Sequence, residues 1–440
     1  MILLGEISQH VSNVSPATIL IALLIFLGSY AVIISEKIHR TIIAIFGGAL
    51  MVIVGVLLNF YDQHQAVAAV DFNTIGLLVG MMIIVSIVKS TGLFQFIAIK
   101  AAKLAKGNPW KIMVMFALIT AIFSALLDNV TTILLMVPIT LVICNNLKVN
   151  PIPFLITGIV MSNIGGTATL IGDPPNILIG SAAGLSFLDF IVNLAPIVAL
   201  LFIVFLPFFK IIYGKKIKAD KASMKQIMRL DEKESITDTK LLRKSLAVLA
   251  LVILGFFLHG WLGMEGATIA LFGAGLLLLL DRQNPEKALH EIEWTTIFFF
   301  IGLFVLVGGL EHTGVISWAA TKLLSLTAGN LAATAIIVLW GSAIFSSFVD
   351  NIPFVATMIP LVQEMGGTFT NLNPLWWSLA LGACLGGNGT LIGASANLVA
   401  ADMAGKAGYK IKFIDFMKIG FAVMVISVMI SNVYIWLRYL

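Results

Sequence analysis

Two polar stretches interrupt long apolar runs, and they constrain the fold of this chain more than any other feature. The first, Ser124–Thr132, places an aspartate, an asparagine and two threonines inside the apolar run 112–143. The second places Asp350 and Asn351 in an equally apolar run. Lipid offers such groups no hydrogen-bond partner, so an ionisable residue at this depth faces protein or an aqueous cavity and marks a functional site. Two such pairs therefore predict internal repeats with a site between them.

The composition indicates an integral membrane protein. Of 440 residues, 59% are hydrophobic and 11% are charged, with a mean hydropathy of +1.04, as is typical of chains that lie in the lipid bilayer. This length allows about ten spans of roughly 20 residues. The net charge of +5 does not indicate nucleic-acid binding, because the basic residues fall in loops on one side. Cys144 and Cys384 lie in apolar surroundings and indicate no disulfide framework.

The chain repeats itself at a nearly constant offset. At 222 residues the matched pairs include Asp71 with Glu293, Gly80 with Gly302, Lys100 with Lys322, Phe123-Ser124 with Phe345-Ser346, Asp128-Asn129 with Asp350-Asn351, and Pro138 with Pro360. At 221 residues they are Thr169–Gly172 with Thr390–Gly393, and Asn176 with Asn397. Asp173 falls on Ala394, so the repeat does not require a carboxylate there. A nearly constant offset that matches so many glycine, proline and polar residues indicates a duplicated architecture.

The apolar runs and their interruptions define the predicted organisation. We predict a first span within 1–40, a first repeat over 41–213 with a hairpin at 110–146 and a broken span at 153–182, a linker over 214–244, and a second half over 245–440 with a hairpin at 332–363 and a broken span at 375–403. Pro174 and Pro175 lack an amide hydrogen, so we expect the first broken span to unwind there. Lysines at helical spacing predict an interfacial amphipathic helix over 94–106. We expect the linker to be partly helical.

Loop charge predicts the orientation in the cell membrane, here the inner membrane. With ten crossing runs and two re-entrant hairpins, 25 of the 27 lysines and arginines fall on one face, which is cytoplasmic by the positive-inside rule. Both termini are then outside, the linker is cytoplasmic, and the two hairpins enter from opposite sides. The predicted fold is all-α and integral to the membrane, with two inverted-topology repeats, re-entrant helical hairpins and broken transmembrane helices.

A hairpin tip beside an unwound span gathers carboxylate, carboxamide, hydroxyl and backbone carbonyl oxygens. Such hard ligands suit Na⁺ or a carboxyl group that exchanges a proton, and helix N-termini at the breaks can hold an anion. The candidate substrate- or ion-binding residues are Asp128, Asn129, Thr131, Thr132, Asn163, Gly165, Gly166, Thr167, Asp173, Asn176, Ser347, Asp350, Asn351, Asn388, Gly389, Thr390, Ser395 and Asn397. Na⁺ is placed at the two Asp-Asn pairs, and no cofactor beyond a coupling ion, Na⁺ or H⁺, is expected.

Each of these residues also has a plainer structural interpretation. Asp128 and Asp350 can act as buried helix caps, and the three asparagines Asn163, Asn388 and Asn397 as hydrogen bonders between packed helices. Asp173 is equally compatible with ion coupling and with capping after Gly172. The chain has no phosphate-binding glycine loop, so it does not drive transport with ATP by itself, although a separate soluble ATPase partner remains compatible with the sequence.

Four motifs carry a resemblance to a known family. They are Leu127–Pro138, Asn163–Asn176, Val349–Pro360 and Ala383–Asn397. These resemble the ion transporter superfamily, in particular its ArsB/NhaD branch (arsenite permease and Na⁺/H⁺ antiporter-like) and the permeases similar to the melanosomal P protein. The resemblance implies an elevator-type transporter, with a scaffold that forms a homodimer and a transport domain made of the hairpins and broken spans.

The hairpin tips depart from one branch of that superfamily. Its dicarboxylate/sodium symporters carry Ser-Asn-Thr at the tips, where this chain has Asp128-Asn129-Val130 and Asp350-Asn351-Ile352. A fixed carboxylate would repel a dicarboxylate unless it were protonated or paired with a cation. We therefore expect a secondary transporter that exports a small inorganic ion or metalloid, arsenite/antimonite or Na⁺, by proton antiport. The alternatives are a Na⁺-coupled anion or carboxylate symporter and an ion channel. With only Cys384 near a broken span, thiol ligation of arsenite is not indicated.

The topology gives a first testable prediction. A single cysteine introduced at position 225 should react with a membrane-impermeant thiol reagent only after the cells are opened, whereas one at position 5 should react in intact cells, because the charge asymmetry places the linker inside and the N terminus outside. Labelling of intact cells at position 225 but not at position 5 would overturn this orientation.

Overall fold

The computed structural model describes residues 14–35, 37–281 and 285–440, which are helical and contain no strand. The predicted outward N terminus lies outside these residues. The helices of the first half are α1 (Pro16–Ser35), α2 (Arg40–Leu57), α3 (Gln63–Ala68), α4 (Phe72–Ser90), α5 (Leu93–Leu104), α6 (Pro109–Leu126), α7 (Asn129–Leu147), α8 (Ile152–Gly166), α9 (Pro174–Ala183) and α10 (Phe187–Tyr213).

The linker and the second half follow the same order. The linker holds α11 (Lys221–Met228) and a 3₁₀ turn, Glu232–Ser235. The remaining helices are α12 (Thr239–Leu262), α13 (Gly266–Asp281), α14 (Pro285–His290), α15 (Trp294–Glu311), α16 (Val315–Leu326), α17 (Leu331–Phe348), α18 (Asn351–Glu364), α19 (Asn373–Gly386), α20 (Ser395–Lys406) and α21 (Phe413–Tyr439).

Each hairpin turns at its Asp-Asn pair. Helices α6 and α7 are joined only by Leu127 and Asp128, and helices α17 and α18 only by Val349 and Asp350. Each aspartate is extended and accepts a backbone N–H from the first turn of the following helix, which is the usual role of an N-cap aspartate. The polar tip thus satisfies the amide groups that a helix beginning inside the membrane would otherwise leave unpaired.

The first broken span opens earlier than the sequence predicted. Helix α8 ends at Gly166, and residues 167–173 are not helical. Pro174 begins α9 instead of interrupting a helix, because a proline in the first turn lacks only an amide hydrogen that would be unpaired there in any case. The second break lies between Gly386 and Ser395, and it needs no proline.

The fold class is confirmed. Ten helices are long and apolar enough to cross a membrane by length and composition, and they include three limbs of the two hairpins. The two halves interlock, since α2 of the first half packs along α15 and α13 of the second half packs along α4. The repeat offset relates these two contacts to each other, so each half completes a helix pair with the other.

The linker docks on the amphipathic helix α5. The amine of Lys103 donates to a Glu232 carboxylate oxygen at 2.5 Å and to the Leu230 carbonyl at 3.0 Å. This hydrogen bond with Lys103 holds the pKa of Glu232 below its usual range. The Thr237 amide donates to the Thr91 carbonyl at 3.1 Å. The linker is therefore attached both to the start of α5 and to its charged face.

One glycine makes this docking possible. Gly92 has a φ of +80°, and a Cβ added there would lie 1.7 Å from the Ser235 carbonyl oxygen. A non-glycine residue would thus meet two penalties, left-handed strain and a collision with the linker backbone. The close approach of the linker requires glycine at this position.

We predict that Gly92→Ala releases the linker from α5. Gly184→Ala is the matched control, because Gly184 also has positive φ, +63°, but has nothing within 4 Å of the added Cβ. Both substitutions carry a left-handed strain of roughly 1–2 kcal/mol, whereas only the first collides with the linker. Thermal unfolding in detergent and thiol labelling at position 233 should both change more for Gly92→Ala. Equal effects of the two substitutions would contradict linker docking.

Candidate functional site

A chain of buried asparagines joins the two broken spans. Asn397 in the first turn of α20 donates to the carbonyls of Gly387 and Thr390, at 2.7 and 2.9 Å. This fixes its amide, so its oxygen faces Asn163, whose nitrogen donates to it at 2.9 Å. The same Asn163 nitrogen donates to the Asn388 oxygen at 3.1 Å. The amide nitrogen of Asn388 has no partner among the described residues, although it is fully buried.

The symmetry-related contact is made by Asn176 and Cys384. Asn176 donates to the carbonyls of Gly166, Thr167 and Thr169 at 2.9–3.4 Å. Its oxygen accepts from the Cys384 thiol at 3.4 Å. At the repeat offset Cys384 corresponds to Asn163. The asparagine after each break therefore contacts the equivalent residue of the other repeat. Several of the unwound carbonyls that the sequence offered as ion ligands are therefore engaged by these two side-chain amides.

The first hairpin tip is largely self-contained. One oxygen of Asp128 accepts the Thr131 amide at 2.7 Å and the other accepts the Thr131 hydroxyl at 2.5 Å. Asn129 is buried and donates to the Asn163 oxygen at 3.4 Å, which attaches the tip to the asparagine chain. The buried Thr132 hydroxyl has no partner among the described residues.

The second hairpin tip uses partners from other elements. Asp350 accepts the Ile352 amide at 3.1 Å with one oxygen, and the Ser395 hydroxyl at 2.6 Å with the other. A guanidinium nitrogen of Arg40, the first residue of α2, donates to the same Asp350 oxygen and, at 2.6 Å, to Ser395. The Asp350 carboxylate thus joins the hairpin, the second broken span and a helix of the first half.

Asp173 is not a helix cap. It precedes α9, but its side chain makes no capping hydrogen bond. Its carboxylate oxygens instead accept the Asn351 amide at 3.2 and 3.4 Å, and Asp173 is fully buried. This contact places a carboxylate of the first broken span against the tip of the second hairpin, which the repeat symmetry does not require.

The small residues let the hairpins approach the broken spans closely. A Cβ at Gly165 would lie 2.3 Å from the Ala121 carbonyl oxygen, and one at Gly386 would lie 2.6 Å from the Ala343 carbonyl oxygen. The remaining candidate residues lie at or beside this contact. The Ser347 hydroxyl donates to the Gly386 carbonyl, the Thr390 hydroxyl to the Ser347 carbonyl, and the Thr167 hydroxyl to the Asn163 carbonyl. Gly166 lies against Gly172, and Gly389 lies against Ser347. They position the site.

Two residues at the site escaped the sequence analysis. Arg40 was counted only as a cytoplasmic loop charge, and Glu293 only as the repeat partner of Asp71. Glu293 is attracted by Arg40 and repelled by Asp128, while Asp173 is repelled by Asp350 and Asp128. No local pattern indicates these positions, because Arg40 and Asp350 are 310 residues apart.

Two cavities border the second hairpin, one at its tip and one beside α18. One of about 280 Å³ lies at Arg40, His39, Asp350 and Ser395, between the α1–α2 corner and the second tip. The other, of about 520 Å³, lies at Asp71, Ser181, Glu311 and Gln363. Among the described residues no group of three or more His, Cys, Asp or Glu side chains could hold a metal ion. Both cysteines are free and buried.

Facing hairpin tips, broken spans and inverted repeats define a multi-pass membrane transporter. A family model described as "Citrate transporter" matches residues 30–382, and the chain belongs to that family. Its relatives include an uncharacterized transporter of Mycobacterium bovis, 43% identical over 95% of this chain and 98% of that protein. The human P protein is 35% identical over 97% of this chain and 61% of its own length. These findings confirm the resemblance read from the motifs.

The fold is shared with a solved transporter. The YdaH transporter of Alcanivorax borkumensis superposes with a TM-score of 0.61, covering 91% of this chain and 97% of that one, at 12% sequence identity. At this identity the comparison concerns architecture only. It supports the interlocked inverted repeats described above.

The asparagine chain predicts that loss of the Asn397 side-chain amide destabilises the protein. Asn397→Ala removes donors to two carbonyls and the acceptor for Asn163, so it should lower the free energy of unfolding by about 1–3 kcal/mol. Asn146→Ala is the control, because Asn146 lies near the surface and bonds only within its own helix. The measurement is thermal unfolding of the purified variants in detergent. Equal unfolding midpoints for the two variants would argue against a structural role of the asparagine chain.

Proposed function

We propose that this transporter exports a small inorganic ion or metalloid in exchange for protons. Arsenite/antimonite and Na⁺ are the leading substrates. The hairpins and broken spans form the moving transport domain of an elevator mechanism, and the remaining spans form the scaffold of a homodimer. Na⁺ is placed at the two Asp-Asn tips, where carboxylate and carboxamide oxygens offer the hard ligands that it prefers.

The balance of charge at the site carries this proposal. Asp128 and Asp350 each lie within electrostatic reach of Asp173, and Asp128 also lies within reach of Glu293. Of the basic side chains in the described residues, Arg40 is the one that reaches them. Ionised together, they leave a surplus of negative charge in a mostly buried site, which must be neutralised by protons or a bound cation. A site of this kind favours cations and protons over anions.

A neutral metalloid also fits the polar groups. Arsenous acid carries hydroxyl groups that both donate and accept hydrogen bonds. Within the part of the chain that the structure describes, the buried Asn388 amide nitrogen and Thr132 hydroxyl have no partner, and they supply complementary groups. Neutral cargo adds no charge, so the carboxyl groups stay available to carry the exchanged proton. Proton antiport follows if substrate and proton occupy the site alternately.

Carboxylate transport is the alternative with an observation in its favour. The family is described by citrate transport, and Arg40 borders the 280 Å³ cavity, where a guanidinium can bind a carboxylate in a bidentate manner. In this structure, however, Arg40 already contacts Asp350. Citrate would therefore have to displace an internal carboxylate and arrive with enough Na⁺ or H⁺ to offset the remaining negative charge.

Flux into proteoliposomes separates these functions. Na⁺, Li⁺, arsenite and citrate are each supplied with and without a pH gradient. The proposal expects saturable movement of Na⁺ or arsenite that depends on the gradient, and none of citrate. Sodium-dependent citrate or succinate uptake would establish the symporter instead, and non-saturable conductance would indicate a channel.

The carboxylates at the two tips should be essential for coupling. Asp128→Asn and Asp350→Asn keep the size and most hydrogen bonds of each side chain but cannot exchange a proton, so we predict that each abolishes flux driven by a pH gradient. Asp173→Asn should cause a smaller loss, since Ala394 occupies its place in the second repeat. The three variants are compared at matched expression and membrane insertion. Wild-type coupling in both tip variants would mean that the two aspartates act only as helix caps.

A further inference from the structure

Arg40 connects a fixed part of the molecule to a hairpin tip. It begins α2, and its guanidinium lies 5.0 Å from the ring centre of Phe299 on α15. From there it reaches Asp350 and Ser395, with the carboxylate side chain only 9% exposed and the arginine 26% exposed. The α2–α15 pair belongs to the interlocked spans that we assign to the scaffold, whereas Asp350 and Ser395 belong to the proposed transport domain.

A second contact joins the same two parts. Tyr30, near the end of α1, lies 2.8 Å from the Pro353 carbonyl and 2.7 Å from the Thr357 hydroxyl, both on α18. The α1–α2 corner thus holds the second hairpin at two points.

The repeat does not require this attachment. At the offset of 222, Leu262 corresponds to Arg40 and Thr131 to Pro353. Asp128 therefore finds a hydroxyl partner within its own hairpin, whereas Asp350 has a proline where that hydroxyl would be. At 221, Pro174 corresponds to Ser395. All three differences between the halves occur at or beside this one contact. This indicates a specific role for the Arg40–Asp350 pair beyond the fold.

We propose that Arg40 is a tethered counter-ion that retains the second hairpin against the scaffold until a cation bound at the tip takes its place beside Asp350. Separating the pair without such a cation would leave charges without partners in a mostly buried site, which is strongly unfavourable. Once a cation is bound, Asp350 no longer needs Arg40, and the tip can leave. The empty transport domain is retained, so movement without a bound cation is suppressed.

The surrounding charges support this role. Arg40 is also attracted to Glu293, so the guanidinium keeps one carboxyl partner after Asp350 departs. Asp350 and Asp173 repel each other, which favours a cation beside them. His39 lines the same cavity and accepts the Thr41 amide.

This inference rests on the proposed function, because only alternating access gives the hairpin a second position, but its test needs no substrate. Spin labels on Ser35→Cys in α1 and Lys406→Cys in α20 report the separation of the two parts, with Cys144 and Cys384 replaced by alanine. Both labelled positions are exposed, so the labels do not enter the contact. Distance distributions are recorded in proteoliposomes at about pH 9 and about pH 7, at both of which an aspartate is ionised, with and without Na⁺.

We expect one short distance without Na⁺ at both pH values, and a longer one that appears with Na⁺. Arg40→Gln should show the longer distance without Na⁺ at both pH values, raising its population by about tenfold or more. Asp350→Asn should behave in the same way, and the double variant should add nothing further. Arg40→Lys, which retains the charge, should partly restore the Na⁺ dependence and show that the glutamine variant is not merely misfolded.

Lys37→Gln is the matched control, since it removes an exposed positive charge three residues away. It should leave the distances unchanged. An Arg40→Gln distribution identical to that of the parent at both pH values overturns the inference. The proposed function fails separately, by carboxylate uptake in the flux assay, whatever the distances show.

Discussion

The structure depends on one constraint: backbone and side-chain polar groups that lie among apolar spans must satisfy one another. Unwinding two spans exposes carbonyls where lipid cannot hydrate them. Asn176 and Asn397, each in the first turn after a break, donate to these carbonyls, and their oxygens face Cys384 and Asn163 across the molecule. The breaks therefore stabilise each other. The hairpin tips can then pack against irregular backbone, which places carboxylates next to the centre of the site.

That arrangement explains why the site is negative, which is the basis of our proposal that a cation or a proton takes part in transport. Amides can satisfy backbone groups without charge, and the asparagine chain does so. The carboxylates of Asp128 and Asp350 also cap helices, but a neutral cap such as serine would serve that need as well. Asp173 makes no capping hydrogen bond at all. Negative charge beyond the needs of the fold, with Arg40 as its basic partner in the described part of the chain, is a property of the site.

The sequence was sufficient for the architecture because its signals are local or periodic. The repeat offset, the Asp-Asn tips and the charge of the loops predict inverted halves, hairpins and broken spans, and the fold shows them. The exact break was wrong by several residues, since Pro174 starts a helix rather than ending one. Arg40 and Glu293 could not be predicted, because their contacts join residues from distant parts of the chain, and such contacts leave no local pattern.

The departures from symmetry lie where the two halves must differ in function. An inverted repeat by itself would give both hairpin tips equivalent surroundings. Here Asp128 bonds to Thr131 in its own hairpin, whereas Asp350 faces Pro353 at the equivalent place and bonds to Ser395 and Arg40. The first carboxylate therefore keeps its partner within its own hairpin, whereas the second depends on partners from two other elements. In the elevator mechanism that we propose, the second tip would have to release Arg40 in order to move, whereas two self-contained tips would let the empty domain move as readily as the loaded one.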